Sequence, residues 1–207
     1  MRTLRTLLFA ALAGLAVVQV ALAQSPGNSD ALLLVSSPQL RDPTYFHTVV
    51  LAVPTDGDRY VGVIINRPTR RSLASLFPEH EPSKKVAEPV FFGGPMSGRA
   101  LFAVVRAEDN PGLGSITLMK NLFLALTVNT VDRVIEQTPN QARYYVGNVI
   151  WRPGELRTEI DRKLWHVMNA DPELVFRKDT ERLWEELSRM ARAITADARV
   201  LSATGIN

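Results

Sequence analysis

Continuous apolar runs, rather than apolar and polar alternation, set the pattern of this chain. Leu32, Leu33, Leu34 and Val35 form one run, closed by Ser36-Ser37-Pro38. Residues 48–53 form a second, closed by Pro54 and the Asp56-Gly57-Asp58 turn, and residues 60–65 form a third. Short apolar runs bounded by turn residues predict strands covered on both faces. The turn between the second and third predicts a hairpin. Pro68 lacks a backbone donor and biases Arg67 away from the helical region, so the third strand is expected to finish there and the chain to turn. A short helix is expected over residues 72–77, a solvated loop over 78–89, and a strand over 90–92 that ends at Gly93-Gly94-Pro95. Residues 100–105 are expected to pair with that strand as a hairpin across 96–99.

The second half mixes the two periods. Residues 108–114 read as a loop and 122–128 as a strand. Asn129 or Thr130 can cap a helix over Val131, Val134 and Ile135. Residues 144–151 form the last long strand candidate, Pro153 suits the first turn of a helix carrying Leu156 and Ile160, and a short strand is expected over 165–168. From Asp179 or Thr180 onward, Leu183, Trp184, Leu187, Met190, Ala191 and Ile194 recur at helical spacing. They predict an amphipathic helix with this stripe on the core and Glu185 paired with Arg189 on the other side. Past about residue 196 the pattern fades, and the tail is expected to fray.

The N-terminus changes the picture of where the domain sits. Arg2 and Arg5 precede an apolar stretch over residues 7–23, broken by Gln19 and ending in Ala21-Leu22-Ala23. These are the parts of a secretory signal peptide, with cleavage expected after Ala23. The stretch is short for a spanning helix; retention as an N-terminal anchor is the alternative. Residues 24–30 are a polar leader, and the folded domain is expected over residues 31–195, in the periplasm or secreted.

Composition makes an oxidising compartment harmless to the chain. The chain has no cysteine, so it needs no disulfide and offers no thiol nucleophile or thiolate ligand. Lys+Arg number 24 in all; without Arg2 and Arg5 they are 22 against 21 Asp+Glu, leaving a net charge of about +1. Such a chain has no electrostatic case for nucleic acid.

Candidate chemistry is sparse. Phosphate-binding loops, a Gly-x-Ser-x-Gly elbow and His-Glu-x-x-His are all missing from the sequence. His47, His80 and His166 are too scattered to predict a shared metal ion, so no metal site and no cofactor are expected. His47 with Asp42 and Ser36 or Ser37 could imitate a catalytic triad, but no glycine-rich elbow presents either serine. Asp56 and Asp58 flank Gly57 as in a cation loop or, more simply, a hairpin turn. The best site candidate is the pair of strand ends at Asn66, Arg67, Gly93 and Gly94. The glycines there either make tight turns only, or turn their N–H groups with Arg67 toward a bound anion.

Read together, Ser37-Pro38 through Val49, Gly62 through Pro68 (ending Ile65-Asn66-Arg67-Pro68) and Pro89 through Pro95 (ending Phe92-Gly93-Gly94-Pro95) resemble the YqgE/AlgH family. So do Trp151-Arg152-Pro153-Gly154-Glu155-Leu156 with Glu159, Ile160 and Trp165, and Asp171 through Phe176 with Trp184. The resemblance covers about residues 31–190. It implies an α/β (α+β) single domain with a mixed, curved β-sheet flanked by helices, and unknown molecular function. It carries no accepted catalytic residues. Family members are commonly cytoplasmic, so the signal peptide marks a divergent exported branch. Two functions follow as expectations: a non-catalytic binding or regulatory protein with an unknown protein or small-molecule partner, or a hydrolase or transferase using an anion cradle at the two strand ends. No transmembrane segment is expected after signal cleavage.

Overall fold

A segment apolar at every position is satisfied only where both of its faces are covered, and the first three runs meet that condition. The computed structural model describes the backbone of residues 31–203 and side chains through Ile194. The predicted signal peptide and the polar leader lie outside the described residues. The strands are β1 (Leu32–Ser36), β2 (Val49–Thr55), β3 (Arg59–Ile64), β4 (Pro68–Ser72), β5 (Pro89–Phe92), β6 (Met96–Arg106), β7 (Ser115–Met119), β8 (Leu122–Ala125), β9 (Ala142–Trp151) and β10 (Trp165–Asn169). The helices are α1 (Leu73–Leu76), α2 (Val128–Gln137), α3 (Glu155–Asp161), α4 (Pro172–Val175) and α5 (Leu183–Ala203).

These elements make one mixed α+β domain around a curved half-barrel sheet with the order β10-β1-β2-β3-β9-β6-β8-β7. All pairs along this path are antiparallel. β4 and β5 form a side ribbon, joined to β9 by the parallel β5–β9 pair. Odd-numbered residues of β1 and β2, including Leu33, Val35, Val49 and Leu51, face a core shared with Val175, Leu183 and Leu187. Even-numbered Leu34, Val50 and Ala52 face a second core with Trp151, Leu156 and Trp165. A third core packs Val131, Val134 and Ile135 of α2 on Ala103 and Val105 of β6 and Phe123 of β8. Each such fully buried branched or aromatic side chain contributes about 1.5–3 kcal/mol by leaving water.

Several expectations fail, each for a physical reason. β3 finishes and the chain bends at Ile65 and Asn66 as expected, but it then continues at once as β4, with Pro68 at the first strand position, where its missing donor is harmless. The 78–89 segment contains a 3-10 turn at Glu81–Lys85. β5 and β6 do not form a hairpin: β5 pairs with β4 and β9, and β6 with β9 and β8. The reason is steric. A Cβ on Gly93 would lie 2.2 Å from the Gly147 carbonyl oxygen, and one on Gly94 would lie 2.3 Å from that of Asn148, so the two glycines let the chain cross β9 at close range. The sequence pattern predicts neither β7 nor α4. β8 ends at Ala125 and α2 begins at Val128 after Thr127, and α3 begins at Glu155, after a left-handed Gly154, with Pro153 left outside it.

The last helix starts at Leu183, later than expected, and its backbone is helical to Ala203. Its buried stripe is narrower than the sequence implied. Leu183, Leu187 and Ala191 are buried, whereas Met190 and Ile194 are 53% and 60% exposed. Glu185 lies by Arg182 at 3.9 Å instead of Arg189. Among the described residues no helix is long and apolar enough to cross a membrane.

Candidate functional site

The two predicted strand ends do meet. The Phe92 N–H donates to the Arg67 carbonyl at 2.9 Å, and the Ile64 N–H donates to that of Gly93 at 2.8 Å. The Asn66 and Arg67 side chains and the Gly93 N–H, however, are turned to internal partners. The Asn66 Oδ1 accepts from the buried Val49 N–H at 2.9 Å and its Nδ2 donates to the His47 carbonyl at 3.0 Å. Arg67 Nη2 donates to the carbonyls of Phe46 at 2.8 Å and Pro43 at 3.5 Å. Partial burial lowers the Arg67 pKa from its ordinary value. The Gly93 N–H donates to Val146 at 2.8 Å, and only Gly94 of the two glycines takes a positive φ, +151°. The motif thus clamps the loop between β1 and β2 onto β3. An anion at this point would have to displace those bonds.

That clamp orders an aromatic stack. His47, in the left-handed region at φ 56°, lies between the Phe46 ring at 3.7 Å and the Trp184 ring at 3.6 Å between centroids. Trp184 is fixed in turn by donating Nε1 to the Ser36 carbonyl at 2.8 Å. The triad read from the sequence does not assemble. Ser36 Oγ accepts from the Thr48 N–H, Ser37 Oγ bonds Gln39, and Asp42 caps its own loop by accepting from the Thr44 N–H. Asp58 is also occupied, accepting from the Gly154 N–H at 3.1 Å with Arg157 at 3.9 Å, which fits the hairpin-turn reading of the Asp56-Gly57-Asp58 segment.

The tryptophan block has a structural explanation. Glu159 Oε2 accepts from the indole N–H of Trp151 at 2.9 Å and of Trp165 at 2.7 Å, tying β9, α3 and β10 together. Tyr45 packs edge-on against Trp165 with 6.0 Å between centroids. Burial, and after it the carboxylates of Asp42, Glu159 and Glu155, push the Tyr45 hydroxyl up to about 12. A second anchor is Arg143, buried on β9, which donates to the Val175 carbonyl at 2.7 Å and to Glu88 at 2.8 Å while lying over Phe91. It holds the end of α4 against the sheet.

Open space lies elsewhere, on the α1 and α2 side of the sheet. A β-bulge between Met96 and Leu101 shifts the pairing of β6 with β9, and Gly98, Arg99 and Leu101 of this stretch border open space. Two adjoining clefts of about 450 Å³ and 370 Å³ form there, sharing Phe77, Arg99 and Leu101 as their common wall. Val146 floors the first, and Val131 and Ile135 line the second. Arg71 and Arg99 stand on the rim, both exposed, and neither guanidinium has an ion-pair partner among the described residues. A larger depression of about 590 Å³ near Arg106 is more open and polar, and its arginine is already held by Glu173 at 2.8 Å and the Pro172 carbonyl at 3.2 Å. The apolar cleft went unread in the sequence because β4 and the bulge carry polar residues with no periodic signal.

With this geometry in hand, comparison with known proteins gives a coherent result. Residues 33–195 match the family described as AlgH-like. A UPF0301 protein of Thermobifida fusca is 30% identical over 76% of this chain and 84% of its own length. One from Ruegeria pomeroyi is 28% identical over 83% and 95%, respectively. Among solved structures, the AlgH protein of Pseudomonas aeruginosa superposes with a TM-score of 0.62 at 22% identity, over 88% of this chain and 96% of that one. A Corynebacterium diphtheriae protein gives 0.63 at 21%, over 80% and 87%. At these identities the structural matches speak for the fold alone.

Proposed function

The chain belongs to the AlgH-like family, and we propose that it serves as an exported, non-catalytic binding protein for an amphiphile with an apolar body and an anionic end. Export is supported by the basic, then apolar, then small-residue order of residues 1–23. The observation that carries the ligand class is the joined cleft of about 450 Å³ and 370 Å³, with Phe77, Leu101 and Val146 on its walls and the unpaired Arg71 and Arg99 on its rim. Volumes of this size with apolar walls and few polar groups suit small-molecule sites. The rim guanidiniums favour a carboxylate or phosphate end, because planar donors match such oxygens in pairs.

Calorimetric titration with decanoate and with decylamine, in EDTA, tests this reading. Decanoate is expected to bind in a 1:1 ratio and decylamine, of the same length and opposite charge, far more weakly. Arg71→Ala with Arg99→Ala should weaken decanoate binding at least about tenfold, since one charge-assisted hydrogen bond contributes about 1.5–3 kcal/mol. Equal binding of the two probes, or none of either, contradicts it.

A further inference from the structure

We infer that His80, Asp132 and Glu136 form a binding site for a divalent transition-metal ion, an inference that goes beyond the amphiphile reading and does not depend on it. The sequence points to no metal here: its three histidines are too scattered to share an ion, and its one cation-loop candidate is the Asp56-Gly57-Asp58 turn. Nothing in it shows that the 3-10 turn at Glu81–Lys85 sets His80 against α2. Asp132 and Glu136 lie one helical turn apart on that helix and so project from the same side. One ligand atom from each of the three residues falls within 4.8 Å of the other two.

Three features favour a cation over an ordinary surface cluster. First, His80 Nε2 lies 3.5 Å from Asp132 Oδ1. Ligand atoms bound to zinc at about 2.1 Å in a tetrahedron are roughly 3.4 Å apart, so this pair already has the required separation. Glu136 is exposed and closes the remaining gap by a rotamer change. Second, His80 Nδ1 lies 2.7 Å from Oγ of the fully buried Ser83. A hydrogen bond on the far ring nitrogen is what fixes the orientation and tautomer of a metal-ligating histidine, and here it leaves Nε2 toward the two acids. The same arrangement is not a catalytic triad, because the Ser83 hydroxyl is shut away from any substrate. Third, the two carboxylates repel each other across one helical turn, yet among the described residues neither pairs with a lysine or arginine. A cation between them removes that repulsion; an ion pair between His80 and Asp132 alone does nothing for Glu136.

One imidazole and two carboxylates suit a borderline divalent ion such as Zn²⁺ or Co²⁺ more than a soft monovalent one. Three protein ligands leave at least one position open, and since His80 and Asp132 also line the smaller cleft, that position faces space a water or ligand donor can reach.

Titrating the untagged protein with Co²⁺ tests the inference directly. Expected is one equivalent of Co²⁺ with a visible d–d absorption, displaced by Zn²⁺, and a melting temperature that rises with added Zn²⁺. His80→Ala should abolish the absorption, and Glu136→Gln, a surface change that leaves the fold untouched, should weaken binding at least about tenfold. Ser83→Ala should weaken it by roughly 10–100-fold through loss of the orienting bond. The absence of uptake, or uptake that His80→Ala and Glu136→Gln leave unchanged, would overturn it. Circular dichroism and melting of the metal-free variants separate loss of binding from loss of fold. Because the decanoate titration is run in EDTA, failure of either idea leaves the other standing.

Discussion

Replacing Asn66 with alanine isolates the clamp at the strand ends. The side chain makes two bonds, accepting from the Val49 N–H and donating to the His47 carbonyl. Val49 is fully buried, so its N–H has no access to water once Asn66 is gone, and an orphaned buried donor costs about 1–3 kcal/mol. His47 is exposed, so its carbonyl can turn to solvent and adds only a few tenths to that figure. The expected loss is therefore about 1–3 kcal/mol, which for a domain of this size lowers the melting temperature by roughly 2–12 °C. Urea denaturation followed by tryptophan fluorescence reads this directly, with an unchanged m-value showing that the unfolded state is not the cause. Asn66→Asp keeps the acceptor for Val49 and should lie between the wild type and Asn66→Ala. A stability change for Asn66→Ala below about 0.5 kcal/mol would refute the clamp, since it would mean that Val49 does not rely on this side chain.

Other substitutions probe other parts of the same structure. Glu159→Ala removes the shared acceptor of Trp151 and Trp165 and should destabilise by about 2 kcal/mol in urea melts, with a shift in tryptophan emission as the indoles lose their partner. Gly93→Ala places a methyl against a backbone oxygen and should cost on the order of 3 kcal/mol or prevent soluble expression, whereas Gly98→Ala, whose Cβ meets nothing within 4 Å, should fold normally. On α5, Leu187→Ala should cost about 2–5 kcal/mol and Met190→Gln close to nothing in thermal melts, because only the first is buried.

What the sequence made legible divides along physical lines. β1, β2, β3 and β9 were readable because each is apolar over most of its length, and the β2–β3 hairpin because a short glycine-centred turn joins them. β4 was not, since Pro68 through Ser72 are polar and mostly exposed and only their pairing with β5 makes them a strand. The supposed β5–β6 hairpin failed because local turn chemistry says nothing about a third strand. Gly93 and Gly94 are needed for passage over β9, a long-range contact invisible in a single sequence. On α5, periodicity identified the helix but not how wide a stripe the sheet would cover, so Met190 and Ile194 were assigned to a core they do not reach. For the site, the strand ends carrying Asn66, Arg67, Gly93 and Gly94 lie side by side, and the Asn66 and Arg67 side chains and the Gly93 N–H turn inward to backbone partners. Arg71, Arg99 and Leu101 gave no signal because the cleft is made by a bulge and by the packing of two helices. His80, Asp132 and Glu136 are separated by a whole sheet segment in sequence and meet only in the fold.

Whether this protein binds through its bulge-lined cleft is most directly decided by following backbone amide shifts in nitrogen-15 NMR spectra during a decanoate titration. Saturable shifts gathered on Phe77, Arg99, Leu101 and Val146 are the predicted result. Shifts gathered instead around Asn66, Arg67 and Gly94, or around Arg106 and Glu173, would contradict it.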